Sequence, residues 1–146
     1  RELRKERKKM TIIESVRAYI CGCPLLDEDG KVGVDWLGKD PVEYVIEEVP
    51  GNPIVKYYAD GGTLRQFVFL FASREAYSAD VLNNMSNCGF YERFRDWLEQ
   101  QDERGFYPEL TGKLPVKIEA TTCGYIFDAA GDSARYQIQC RLLYQQ

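Results

Sequence analysis

Histidine is absent from this 146-residue chain. That removes the Ser/His/Asp and Cys/His catalytic arrangements, the side chain that titrates nearest neutrality and the commonest metal ligand. Long apolar runs are missing too. The longest, Phe67 to Ala72, falls far short of the roughly 20 residues that a membrane-crossing helix needs. No charged-then-apolar leader precedes a small-residue cleavage site, so a soluble, intracellular protein is expected. Internal repeats and low-complexity segments are also lacking. Cysteine is sparse and odd in number: Cys21, Cys23, Cys88, Cys123 and Cys140 form no repeated framework and mostly sit where a small buried apolar residue would fit. They are read as reduced thiols. The Cys21/Cys23 pair has no second pair at the spacing of structural zinc, so packing is expected there, with no metal or cofactor.

Charge is divided unevenly. The first ten residues, "RELRKERKKM", carry a net charge of +4, so the other 136 must carry −8 to reach the chain's −4. An acidic body gains nothing from releasing counterions from phosphate, which leaves only the tail as a nucleic-acid arm. Residues 1–9 are read as a disordered basic tail and 10–146 as one compact domain. Lys5-Glu6-Arg7 can be encoded by an AAGGAG-like, ribosome-binding stretch shortly before the Met10 codon. Met10 is therefore expected to initiate the native protein, with intact-mass measurement on the product of its own operon as the check.

Thr11 and Glu14 have capping-box spacing, and Ile13, Val16 and Ile20 follow at helical intervals up to "CGCP". These predict a first helix. A turn at Asp27 to Gly30 and a short strand around Val32 to Leu37 come next. Between Pro41 and Pro50, Val42, Tyr44 and Ile46 alternate with more polar positions, as in a strand near an edge with one solvated side. Asp60, Gly61 and Gly62 join two β-rich runs as a tight hairpin. The second run has Val68 and Leu70 on one side and Phe67, Phe69 and Phe71 on the other, which predicts a central strand covered on both faces. Ser78 or Asp80 can cap a helix bearing Val81, Met85 and Cys88, with Phe90, Phe94, Trp97 and Leu98 continuing the stripe after a break near Asn87 to Gly89. "VKIEATTCGYIFD", a turn at "AAGDS" and the alternating "ARYQIQCRLLYQ" predict a long final hairpin. The fold class is α+β: a mostly antiparallel sheet of about five to six strands against two main helices, in the order α-β-β-β-β-α-β-β.

Little catalytic chemistry remains. Glu43, Glu47 and Glu48 share a strand, yet Glu47 and Glu48 point to opposite faces, and a solvated edge explains them better than an acid/base pair. "DGGT" lacks the lysine and strand-loop-helix setting of a phosphate cradle. No enzyme is expected. Aromatics, in contrast, are abundant: ten Tyr, seven Phe and two Trp. Those near turns and strand ends are candidates for a protein interface, where such rings bury much area at low entropic cost. The candidate set is Trp36, Tyr57, Tyr58, Arg65, Phe106, Tyr107, Tyr125 and Phe127.

Taken together, "GGTLRQFVFLFASREAYSADVLNN", "GFYERFRDWLEQQ" and "KIEATTCGYIFDAAGDSARYQIQCRLLYQ" resemble the minor capsid or tail terminator proteins of prophages of Gram-positive bacteria. The resemblance covers nearly everything from Met10 onward. It implies a virion structural protein without cofactor. Such a subunit forms a ring, commonly a hexamer, that caps the tail tube at the head-tail junction after assembly in the host cytoplasm. The implied partners are further copies of itself, the major tail tube protein and a head-completion or connector protein, with no specific nucleic-acid binding and no membrane. Two other classes stay open: another head-tail joining or small-molecule-binding domain, and a nucleic-acid module using the basic tail.

Overall fold

A computed structural model describes residues 9–27, 31–35, 37, 43–77 and 81–146. Helix α1 spans Ile12–Cys21. Its capping box forms as the spacing requires: the Glu14 N–H donates to Thr11 Oγ1 at 3.3 Å and the Thr11 N–H to Glu14 Oε1 at 3.1 Å. Val16 and Ile20 are buried, and the Gly22 N–H bonds back to the Tyr19 carbonyl as the helix ends.

Strands β1 (Val32–Val34) and β2 (Tyr44–Glu48) pair in parallel. Tyr44, Val45 and Ile46 are all buried, so the solvated side expected for this strand is missing over its first half. The reason is position: β2 lies between β1 and a longer strand instead of at the rim. Strand β3 (Ile54–Tyr57) turns into β4 (Thr63–Ala76) through the expected hairpin. Gly61 takes a φ of 92°, and the Asp60 carboxylate accepts the Gly62 N–H at 2.9 Å, closing the turn from both backbone and side chain.

Helix α2 runs unbroken over Val81–Glu103, correcting the expected interruption at Asn87 to Gly89. Tertiary contacts outweigh the roughly 1 kcal/mol helix cost of a glycine. The Asn87 side-chain amide donates to the Ala76 carbonyl at 2.9 Å, and Tyr91, one turn further on, is buried. The capping positions Ser78 and Asp80 lie outside the described residues, as do Trp36, Pro41, Val42 and most of the expected turn at Asp27 to Gly30.

Beyond α2 the chain forms β5 (Leu114–Ala120), β6 (Tyr125–Ala130) and β7 (Ser133–Gln145). The stretch expected as one strand, "VKIEATTCGYIFD", is thus two. Gly124 explains the break: a Cβ there would lie 2.3 Å from the Cβ of Tyr91, so only glycine lets the chain pass the helix at this point. This split brings the sheet to seven strands among the described residues, one more than the expected order contains. The fold class is nonetheless α+β with a mostly antiparallel sheet and two helices, as expected.

β4 and β7 form the central ladder, from Leu64 opposite Gln145 to Ala76 opposite Ser133. Each carries two short strands in succession on its outer side: β3 then β2 along β4, and β5 then β6 along β7. Both helices cover one face. Val16, Ile20, Tyr91, Phe94 and Leu98 meet Phe67, Phe69, Phe71, Tyr136, Ile138 and Leu142 in a single core, with Phe71 stacked on Phe94 at 4.6 Å between centroids. Burying each such side chain contributes about 1.5–3 kcal/mol. No helix among the described residues is long and apolar enough to cross a membrane.

The cysteines depart partly from expectation. Cys23 and Cys140 are buried, but Cys21, Cys88 and Cys123 are exposed, because each falls on the outward side of a helix or in the turn before β6; all five are free thiols.

Candidate assembly surfaces

The described interface candidates fall into three separate places. Tyr57, Tyr58 and Arg65 gather where the β3–β4 hairpin turns. Tyr57 is 72% exposed, whereas Tyr58 and Arg65 are half-buried, the latter donating from Nε to the Thr63 hydroxyl at 3.0 Å. Tyr125 and Phe127 lie on β6, at the opposite edge and the opposite end of the central ladder. Phe127 is 63% exposed, with the Arg135 guanidinium 5.3 Å from its ring centroid. Phe106 and Tyr107 follow the C-terminus of α2; Phe106 is 58% exposed. Trp36 lies outside the described residues.

Tyr107 has a job within the fold. Its hydroxyl lies 2.9 Å from the Asp102 carboxylate and 3.0 Å from the Val116 carbonyl, and Asp102 also accepts the Ile118 N–H at 3.1 Å and the Lys117 ammonium at 3.2 Å. This knot ties the end of α2 to β5. Burial would raise the Asp102 pKa, but the bonds from Tyr107, Ile118 and Lys117 outweigh it and hold the carboxyl below its ordinary value. Burial first, then the hydrogen bond to Asp102 and its charge, raises the Tyr107 phenol.

Sequence reasoning missed the face of the sheet opposite the helices. Val68 and Leu70 are only half-buried there, and no helix among the described residues covers them. Polar side chains lie across the face instead. Arg135 bonds Glu47 diagonally across β4, and Arg141 bonds Glu119 at 2.6 Å between β7 and β5. The Gln137 amide donates to the Tyr125 hydroxyl at 2.7 Å. Glu47, read from sequence as one carboxylate of a solvated edge, is therefore an ion-pair partner in the sheet. The available signal was the alternation of Arg135, Gln137, Gln139 and Arg141: long polar side chains two apart on one strand can only share one face.

Two other features have some chemical interest. Burial pushes the Glu75 carboxyl up, the Ser73 hydroxyl pulls it partly back, and the charge of Asp27 adds to the rise. A depression of about 750 Å³ lies between the β3–β4 turn and the start of β5, beside Asp60, Thr63, Lys113 and Leu114. One oxygen of its Asp60 carboxylate accepts the Gly62 N–H. No family model matches the chain, and no curated protein matches it.

Proposed function

We propose that this chain is a phage tail terminator, a subunit of a ring that caps the tail tube and meets the head connector. The observation carrying this reading is the distribution of exposed apolar side chains. Tyr57, Phe106 and Phe127 stand at three separate places around one sheet instead of converging on a cleft. A ring subunit needs several docking surfaces at once, one for each lateral neighbour and others for tube and connector. Exposed rings at separated sites suit that need, and a single binding cleft does not. The resemblance to tail terminators, which covers nearly everything from Met10 onward, supports the same reading, and the histidine-free composition asks for no reaction.

The mechanism is geometric. Head-to-tail contacts close when the rotation between subunits closes, and a ring seated on the last tube layer occupies the surface where the next layer would add. An acidic body also suits a passage through which DNA slides without adhering. The test is to mix the full chain with the tail tube protein of the same genome and follow tube growth by electron microscopy. Rings at tube ends and arrested elongation are expected; tubes that lengthen unchanged, with bare ends, would sink the reading.

A further inference from the structure

A ring built from one kind of subunit requires two different lateral surfaces, and among the described residues four strands, β1, β3, β5 and β6, have a neighbour on one side only. Side chains engage outward groups of two of them: Arg17 donates to the Val32 carbonyl of β1, and on β5 the Val116 carbonyl accepts from Tyr107 while the Ile118 N–H donates to Asp102. β3 bonds only β4 and β6 bonds only β7. Among the described residues, the outer backbone groups of Ile54–Tyr57 and Tyr125–Ala130 thus meet no strand. Open edges of this kind are templates for pairing with another chain unless they are guarded by charge, proline or cover. Neither strand contains proline, and each carries one charge, of opposite sign: Lys56 on β3 and Asp128 on β6, both exposed. Lys56 Nζ rests 5.6 Å from the Tyr58 ring centroid, a contact that leaves its charge at the surface.

The charges select among pairings. Two β3 edges would oppose lysines and two β6 edges would oppose aspartates, both unfavourable, whereas β3 against β6 sets unlike charges together. Both strands are irregular, β3 at Val55 and β6 at Phe127, so the register is anchored only where Lys56 meets Asp128. Tyr57 and Phe127 are the most exposed rings of the two strands and lie next to those charges, where they would add apolar area to the same contact.

We propose that neighbouring copies of this chain join edge to edge, β3 of one running antiparallel to β6 of the next, with Lys56 facing Asp128 and the exposed Tyr57 and Phe127 rings beside that pair. The proposal rests on the ring reading above and names the surfaces that close the ring. The two edges lie on opposite sides of one sheet, so the contact repeats head to tail, as a closed ring requires.

Charge reversal tests it, read by native mass spectrometry and sedimentation of the full chain, alone and with tail tubes. Lys56→Asp or Asp128→Lys should each weaken association roughly five- to tenfold per interface, and Lys56→Asp combined with Asp128→Lys should restore it. Both sites are exposed, and unchanged thermal melting would show that each variant folds. In a second measurement, amide hydrogens of 54–57 and 125–130 should exchange more slowly in the oligomer than in the monomer. Oligomers indifferent to both reversals, or edges that exchange freely within them, would overturn the pairing. So would a chain that stays monomeric with and without tubes, or reversals that abolish tube binding alone. Tubes still capped by such indifferent oligomers would reject this pairing and leave the terminator reading standing, while failure to cap tubes would reject that reading.

Discussion

The two faces of the sheet are closed by different means. On one, Phe67, Phe69 and Phe71 of β4 meet Phe94, Leu98 and Val16 of the helices and lose nearly all contact with water. On the other, Val68 and Leu70 of the same strand lie half-buried among side chains of the sheet itself, with Arg135–Glu47 and Arg141–Glu119 spanning neighbouring strands. A strand that is apolar on both sides therefore does not need two packed layers. Long charged side chains can shield the second side with their aliphatic stems while their charged ends pair. The first closure buries large apolar area and carries the stability; the second is held by partly solvated ion pairs and stays within reach of a partner.

Breaking the helix-covered face should cost most. Phe94→Ala removes a fully buried ring stacked on Phe71, and a loss of about 3–5 kcal/mol in urea unfolding is expected; a loss below about 1 kcal/mol would mean the helix layer is not packed as described. Gly124→Ala attacks the same layer from the chain that passes beneath α2. Its added Cβ would fall 2.3 Å from the Cβ of Tyr91, so a destabilisation of about 1–3 kcal/mol is expected from thermal or chemical melting. Unchanged stability would show that Tyr91 can move aside at no cost.

The ion-paired face should respond more weakly. Arg135→Ala loses the Glu47 bond and the contact with the Phe127 ring, and about 1 kcal/mol is expected, decreasing as salt is added. A loss matching that of Phe94→Ala would erase the difference between the faces.

The smallest effect concerns pH at the seam between α2 and β5. Asp102 has a folded pKa below its unfolded value, so the folded state favours the ionised form. Its contribution is present above the ordinary carboxylate range and is lost as pH falls through the depressed pKa. Asp102→Asn should reduce the acid sensitivity of unfolding, measured as midpoint against pH; identical profiles for the two proteins would contradict this role.

Local signals were legible wherever a few adjacent residues settle the outcome. Thr11 and Glu14 satisfy each other across one helical turn, and Asp60-Gly61-Gly62 closes its hairpin with its own backbone and carboxylate. The aromatic candidates were legible in part. Tyr57, Phe106 and Phe127 are exposed, yet Tyr107 is absorbed by the Asp102 knot, because the Val116 carbonyl and Ile118 N–H that complete it belong to a later strand. Ile126 and Val55, exposed beside the candidates, escaped notice since their type suggests core and only an unpaired edge leaves them outside.

The amino-acid sequence by itself determined the α+β class, the cap of α1, the hairpin turn and the aromatic core positions, all of which follow from spacing and side-chain type over a few residues. Tertiary structure decided the rest. It kept α2 continuous through Gly89, because Asn87 and Tyr91 are fixed from both sides of that glycine by the sheet. It also divided β5 from β6 at Gly124, since the obstacle there is a tyrosine 33 positions earlier in the chain. The same holds for the second sheet face, where Arg135 finds Glu47 across 88 positions of chain: such pairings depend on which strands become neighbours, and no local pattern encodes that.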